Sequence, residues 1–310
     1  MHSAPAATRE GRRIRKSRLF GNQFVGYVYL LPAFVFYTLF VILPALRTFY
    51  WSFFGSYGLK ITQFVGLQNY RALLSDPLFF ESVKHNIVWA AIMVSLPVIF
   101  GLLLAVLLAE PWVVGRTVFR VLLFLPQVIK SVVVAMIWRW MYNPVFGPVN
   151  EALRLIGLGS VARGWLGDST WALPALALGR SWAYYAFCMV LFLAALQGID
   201  ETLYDAAKID GANASQRFRY VTLPQMKFVI VTVLLFTLID SFKIFDMIYI
   251  ATQGGPGYST WVMSIYLYDF VWYRWKFAHG VTTAAVHTLW VAALTALLTW
   301  WRRRIQVQQS

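Results

Sequence analysis

Charge is scarce in this chain. Of its 310 residues only 13% are charged and 59% are hydrophobic, whereas a soluble domain carries roughly 25% charged residues. So little solvating surface excludes an ordinary water-soluble domain and makes lipid the simplest solvent. Cysteine is almost absent. Cys188 alone rules out an internal disulfide and any multi-cysteine metal site, and within its apolar run it reads as a small packing residue. No G-x-x-x-x-G-K-[ST] occurs and no lysine follows a glycine, so the chain has no phosphate-cradling P-loop of its own. The four histidines, at 2, 85, 279 and 287, lack metal-ligand spacing, and His287 reads as a packing residue. With no Ser–His–acid arrangement either, the expectation is a chain with no catalytic residue and no metal site.

What the chain does have is long uncharged runs. Phe24 to Leu46 holds 23 residues without a charge, enough at ~1.5 Å per residue to cross ~30 Å of hydrocarbon. A cleaved signal peptide would have an apolar core of only ~7–15 residues and a small-residue cleavage site. Neither is seen, so a retained helix is expected, and its prolines at 32 and 44 are tolerable in a spanning segment. Six spans are expected, at about 24–49, 86–109, 119–141, 173–198, 227–250 and 280–301. The class is therefore all-α, a polytopic integral membrane protein. Mixed, aromatic stretches over 50–85, 138–172 and 251–279 form the loops on one side.

The net charge of +14 would point to nucleic acid in a soluble protein. Here the basic residues gather at the ends of apolar runs, so no nucleic-acid partner is expected. Fifteen Lys/Arg fall in the short segments 1–22, 110–120, 200–227 and 302–310, against nine spread over the longer loops opposite. The positive-inside rule puts the first set, and with it both termini, in the cytoplasm. Trp and Tyr near the span ends, such as Trp138, Trp140, Trp171, Trp300 and Trp301, suit interfacial belts.

The longest polar passage between two spans is DETLYDAAKIDGANASQRFRYVTLP, residues 200–224. It reads as a short helix, a glycine turn, a second short helix and a proline stop. Asp200 is a good N-cap with Glu201 in the first turn, Gly211 a left-handed C-cap, and Ser215 a cap for the second helix. Pro224 biases Leu223 away from helix, so that helix should end there. Leu203, Ala206 and Ala207 share one face. Within the fifth span, Asp240, Lys243 and Asp246 sit at i, i+3 and i+6, so Lys243 could pair with either acid along one helix, with Thr237 and Ser241 beside them. Both a self-neutralised packing cluster and a substrate-facing lining fit that pattern.

The passage Asp205-Ala206-Ala207-Lys208-Ile209-Asp210-Gly211-Ala212, then Phe218 and Val221-Thr222-Leu223-Pro224, closely resembles the EAA loop of permease subunits of bacterial ATP-binding-cassette importers. The family pattern is E-A-A-x-x-D-G-A, an aromatic, then I-x-L-P, and Asp205 departs from it only by one methylene. Gly66-Leu67-Gln68-Asn69-Tyr70 with Asp76-Pro77, Leu125-Pro126, and Phe245-Asp246-Met247-Ile248-Tyr249 leading to Thr252-Gln253-Gly254-Gly255-Pro256 resemble the carbohydrate-uptake branch, the maltose and glycerol-3-phosphate type. Together these pieces cover essentially the whole chain.

The resemblance implies a basic cytoplasmic tail over 1–22, a six-helix permease domain over 23–302 with its coupling loop at 199–225, and a short tail over 303–310. It implies that Asp205, Ala206, Ala207, Asp210, Gly211, Ala212, Leu223 and Pro224 couple to two separate cytoplasmic ATPase subunits. Those subunits would use ATP and Mg, and this chain would bind no cofactor. A second homologous permease, as a heterodimer, and an extracytoplasmic solute-binding protein complete the expected partners, in the bacterial inner membrane. The sugar-contacting groups of such permeases lie on the fourth and fifth spans, which points to Arg180, Tyr184, Tyr185, Thr237, Asp240, Ser241 and Lys243. The rival from another class is a secondary transporter driven by an ion gradient, with the Asp240/Lys243/Asp246 cluster relaying protons.

Overall fold

In the computed structural model, residues 19–110 and 112–307 are described. The basic tail expected over 1–22 lies outside them up to position 18, as do residues 308–310. The chain divides into two compact units at residue 50. The first is helical: α1 (Leu19–Tyr37), a π turn over Thr38–Ile42, and most of α2 (Leu43–Trp51). Pro44 lacks an N–H, and in α geometry its ring would clash with the carbonyl four residues back. The π turn relieves this by closing one residue later, with Leu43 N donating to Thr38 O.

The second unit opens on a feature the sequence reading did not anticipate, a two-stranded hairpin of β1 (Phe54–Tyr57) and β2 (Lys60–Phe64). It turns at Gly58, whose φ is +60°, and is fastened to the last helix by Ala278 N donating to Ser56 Oγ at 2.8 Å. After α3 (Gln68–Leu74) comes α4 (Pro77–Ala109), a 33-residue helix beginning well before the expected span. Its start is chemically specified. Pro77 stands in the first turn, where its missing N–H costs nothing, and Asp76 Oδ1 accepts from Leu78 N at 2.9 Å. The other carboxylate oxygen of Asp76 accepts from Tyr266 Oη at 2.7 Å.

The expected third span is broken into α5 (Arg116–Val128) and α6 (Ser131–Met141), bent by 93° across Ile129–Lys130. After α7 (Pro148–Leu155) comes α8 (Ala172–Leu196), the most buried helix, which packs on α4, α5 and α6. Two glycines permit its close approaches. A Cβ at Gly101 of α4 would lie 2.7 Å from Cys188 Cβ, and one at Gly179 of α8 would lie 2.7 Å from the Trp138 ring. Trp89, Met93, Met189 and Phe192 fill the core between them.

After α9 (Glu201–Ile209), helix runs unbroken from Ala214 to Phe242 through α10 (Ala214–Arg217), a π turn over Phe218–Thr222 and α11 (Leu223–Phe242). Then α12 (Asp246–Thr252), α13 (Met263–Trp272) and α14 (Phe277–Val307) complete the unit. The last helix therefore continues into what was expected to be a tail. Among the described residues five helices are long and apolar enough to cross a membrane, or six if the bent α5–α6 pair is one span. The helical membrane class stands, with the hairpin as its addition.

Candidate functional site

The polar passage forms a helix-turn-helix whose joints are all locally specified. Asp200 caps α9, accepting from Thr202 N at 2.9 Å, and that bond holds its carboxyl below the usual carboxylate range. At the other end Gly211 N donates to Lys208 O at 3.0 Å and Ala212 N to Ala207 O at 2.9 Å. This pair is a Schellman closure, which requires the left-handed φ of +78° at Gly211. The second helix is capped by Asn213 rather than by Ser215. Gln216 N donates to Asn213 Oδ1 at 2.9 Å and Asn213 N to Gln216 Oε1 at 2.8 Å, a reciprocal capping box. Asn accepts at an N-cap as well as Ser does, and only Asn213 has a Gln three residues on.

Pro224 does not stop the helix. The π turn before it, with Leu223 N donating to Phe218 O, moves the clashing carbonyl aside as at Pro44. The second helix of the passage and the following span are thus one rod from Ala214 to Phe242, with Tyr204 Oη and Thr222 Oγ1 3.0 Å apart fastening α9 to it. Asp205, Ala206, Asp210 and Gly211 are exposed, and Ala207, Ala212 and Leu223 half-buried. Lys208 and Asp205 form an exposed pair at 2.8 Å, worth at most about 0.5 kcal/mol. The most protruding apolar side chains are Ile209 at 86% and Tyr220 at 70% exposed, neither singled out by the sequence pattern.

The expected polar cluster on the fifth span is rearranged. α11 ends at Phe242, Lys243 caps it, and Asp246 starts α12, so the three charges do not share one helix. No proline or glycine marks the break. Side chains from elsewhere satisfy the freed backbone instead. Asn86 of α4 donates to Ser241 O at 3.5 Å and accepts from Met263 N at 2.8 Å, and Ser264 Oγ donates to Ile244 O.

Asp240 pairs with Arg180 of α8, at 3.1 Å, instead of with Lys243. The Arg180 guanidinium lies 5.2 Å from the Tyr184 ring centroid, and its Nε is buried without a partner. The carboxylate is the more open end, its side chain 38% exposed against 14% for Arg180. Lys243 is exposed beside it. Thr237 and Ser241 are fully buried, and their hydroxyls donate to Val233 O at 2.8 Å and Thr237 O at 2.6 Å of their own helix. Tyr185 donates to Leu123 O at 3.1 Å and meets Phe100 edge-on, toward α5 and α4. The structure therefore pairs Arg180 with Asp240 beside the ring of Tyr184, which is itself buried at 5% exposure, leaves Lys243 at their edge, and turns Thr237, Ser241 and Tyr185 to packing. Asn86, which frames the break, carries no signal in sequence.

A family model described as "Binding-protein-dependent transport system inner membrane component" matches residues 97–307. The "Probable ABC transporter permease protein YurN" of Bacillus subtilis is 34% identical over 279 residues, 89% of this chain and 95% of that one. The "Trehalose/maltose transport system permease protein MalF" of Thermococcus litoralis is 35% identical over 247 residues, 79% of this chain and 83% of that one. The crystal structure of a bacterial ABC transporter involved in the import of the acidic polysaccharide alginate is similar in fold. Its TM-score is 0.80 over 93% of this chain and 99% of that one, at 22% identity.

Proposed function

The chain belongs to the family of binding-protein-dependent transport system inner membrane components, and from that premise we propose that it forms half of the pathway of an ATP-driven importer for a sugar or related polyol or glycerol-phosphate solute. It is a transport subunit rather than an enzyme. ATP, with Mg, is hydrolysed by two separate cytoplasmic ATPase subunits, and a second, homologous permease completes the pathway. A solute-binding protein delivers the solute to the loops over 50–85, 138–172 and 251–279. Both termini and the helix-turn-helix lie in the cytoplasm, as the basic residues favour.

The observation that carries this reading is the exposed α9–Gly211–α10 element. It is rigidly closed, presents small and apolar side chains with two acids, and is continuous with a membrane-length helix. Such a rod carries a push at its cytoplasmic end into the membrane. Asp205, Ala206, Ala207, Asp210, Gly211 and Ala212 form the docking surface, and Leu223 and Pro224 shape its junction with the span. Arg180 and Asp240 contact solute, with the buried Tyr184 ring beside Arg180. The sugar class is supported by the trehalose/maltose relative and by the sequence pattern of the carbohydrate-uptake branch.

The test is copurification with an ATPase, and uptake that stops when ATP is depleted at fixed membrane potential. Uptake by this chain alone, abolished by an uncoupler, would establish the ion-gradient transporter instead. Nothing in the geometry favours that rival, because Asp240 is held by Arg180 and Asp246 sits across a break.

A further inference from the structure

The short helix α7, between α6 and α8, has three different sides. Ala152, Leu155 and Ile156 follow at i, i+3 and i+4 and so share one of them. All three are exposed, Leu155 at 79% and Ile156 at 67%. Val145 and Phe146, in the turn before the helix, are exposed as well. Glu151 and Arg154 share a second side, also exposed, and pair at 3.3 Å. The third side faces the protein. There Asn150 is buried, donating to Arg163 O at 2.9 Å and accepting from Trp165 Nε1 at 2.8 Å.

The level of α7 in the membrane follows from what it is tied to. Tyr142 closes α6 and Trp171 precedes α8, and the Trp165 ring lies 6.1 Å from each of theirs. Tyr142 Oη also donates to Ala175 O of α8 at 3.0 Å. The helix is therefore held where α6 ends and the membrane-length α8 begins, at the end of α8 away from the helix-turn-helix. Trp140 and Trp171, both exposed, mark that level as the headgroup layer, where indole rings are half in hydrocarbon and half in water. A helix at that level with one apolar and one charged side matches the boundary itself, because each side then meets its own solvent.

We propose that α7 lies in the membrane plane as an interfacial anchor, its Ala152–Leu155–Ile156 side set into lipid at the headgroup–acyl boundary and its Glu151–Arg154 side in water. Through Asn150, Trp165 and Tyr142 this anchor fixes how deep the joined ends of α6 and α8 sit. The proposal rests on the membrane class alone and is independent of the importer reading. The experiment uses the full chain, with the subunits that copurify with it, in nanodiscs of phosphatidylethanolamine and phosphatidylglycerol. Leu155→Cys, Ile156→Cys, Glu151→Cys and Arg154→Cys each carry a bimane label, and wild type, whose only cysteine is the buried Cys188, sets the background. Two quenchers are compared, a phospholipid with a nitroxide high on its acyl chain and aqueous iodide. With the apolar side ~5–10 Å into the boundary, lipid quenching should be at least about twofold stronger at 155 and 156 than at 151 and 154, and iodide quenching the reverse.

Equal quenching at the four positions, or iodide reaching 155 and 156, overturns the anchor. So does shielding of 155 and 156 from both quenchers, which would mean that a protein subunit covers that side. Iodide access lost only when a solute-binding protein is added would make it a docking surface for that protein, and would also overturn the anchor. A second measurement needs no substitution. Wild type in the same nanodiscs is irradiated with a phospholipid carrying a diazirine near its headgroup, and adducts are mapped by mass spectrometry. Adducts over 152–156 are expected; adducts on the spans with none over 152–156 overturn the proposal.

Discussion

Gly211 is the point where a single methyl-sized change should separate folding from function. Its φ is +78°, a region that costs an L side chain roughly 1–2 kcal/mol and a β-branched one more. A Cβ built there meets no atom within 4 Å, so the penalty of Gly211→Val is torsional and involves no clash. The chain can escape it only by opening the turn, which surrenders the bonds from Gly211 N to Lys208 O and from Ala212 N to Ala207 O. The membrane helices do not depend on those bonds, so insertion and assembly should be unchanged. A cost of at least 1–2 kcal/mol lowers the closed-to-open ratio of the turn by a factor of at least roughly 5–30. Uptake per ATP hydrolysed, measured in proteoliposomes holding the assembled importer, should fall by at least that factor for Val. Asn tolerates the left-handed region, so Gly211→Asn should stay within a few-fold of wild type and Ala should fall between. If Val matches wild type, or Asn is as impaired as Val, the turn conformation is not what couples the two activities.

Asp240→Ala, in an intact assembly, should raise the half-saturating solute concentration or abolish uptake; unchanged kinetics would remove Asp240 from the pathway. A cycle of Arg180→Gln, Asp240→Asn and the double variant should give a coupling of about 0.5–3 kcal/mol in thermal stability, and an additive cycle would mean the two groups do not interact in the membrane. Gly101→Ala should destabilise by about 1–3 kcal/mol, because its Cβ would sit 2.7 Å from Cys188 Cβ and 2.8 Å from Tyr185 O. Gly26→Ala, with nothing within 4 Å, serves as the neutral control in the same melting experiment in detergent.

Features encoded by local chemistry were readable from sequence. The membrane class followed from uncharged runs, and the α9–Gly211 joint from an acid N-cap and a glycine at the right offset. Where two local signals competed, sequence chose wrongly. Ser215 and Asn213 are both good caps, and only the reciprocal bond with Gln216 decides. Pro224 reads as a stop, but a π turn ahead of it keeps the helix going. The break after Phe242 was not legible at all. It depends on Asn86, 155 residues away in sequence, taking up the Ser241 carbonyl, and the three-residue spacing of Asp240, Lys243 and Asp246 runs straight across it. The mispairing of Lys243 follows from the same cause, since the i, i+3 rule holds only along an unbroken helix.

The proline and non-proline interruptions have opposite mechanical consequences. At Pro44 and Pro224 a π turn absorbs the ring and the helix continues, so the rod running from Ala214 to Phe242 stays stiff. At Ile129–Lys130 and at Lys243–Phe245 the helix stops and a new segment begins. Each of these breaks carries an exposed lysine, Lys130 or Lys243. Non-helical backbone at membrane depth is tolerated only where protein covers it or water reaches it, and a bare lysine argues for water. The two segments beyond the breaks, α6 and α12, pack on each other, and both contact α8, which bears Arg180. Under the importer reading, a push delivered through the rod would arrive at Asp240, three residues before Lys243, where the helix ends. The ion pair from Asp240 to Arg180 ties that end to α8, so displacement of the rod must either carry α8 with it or break the pair.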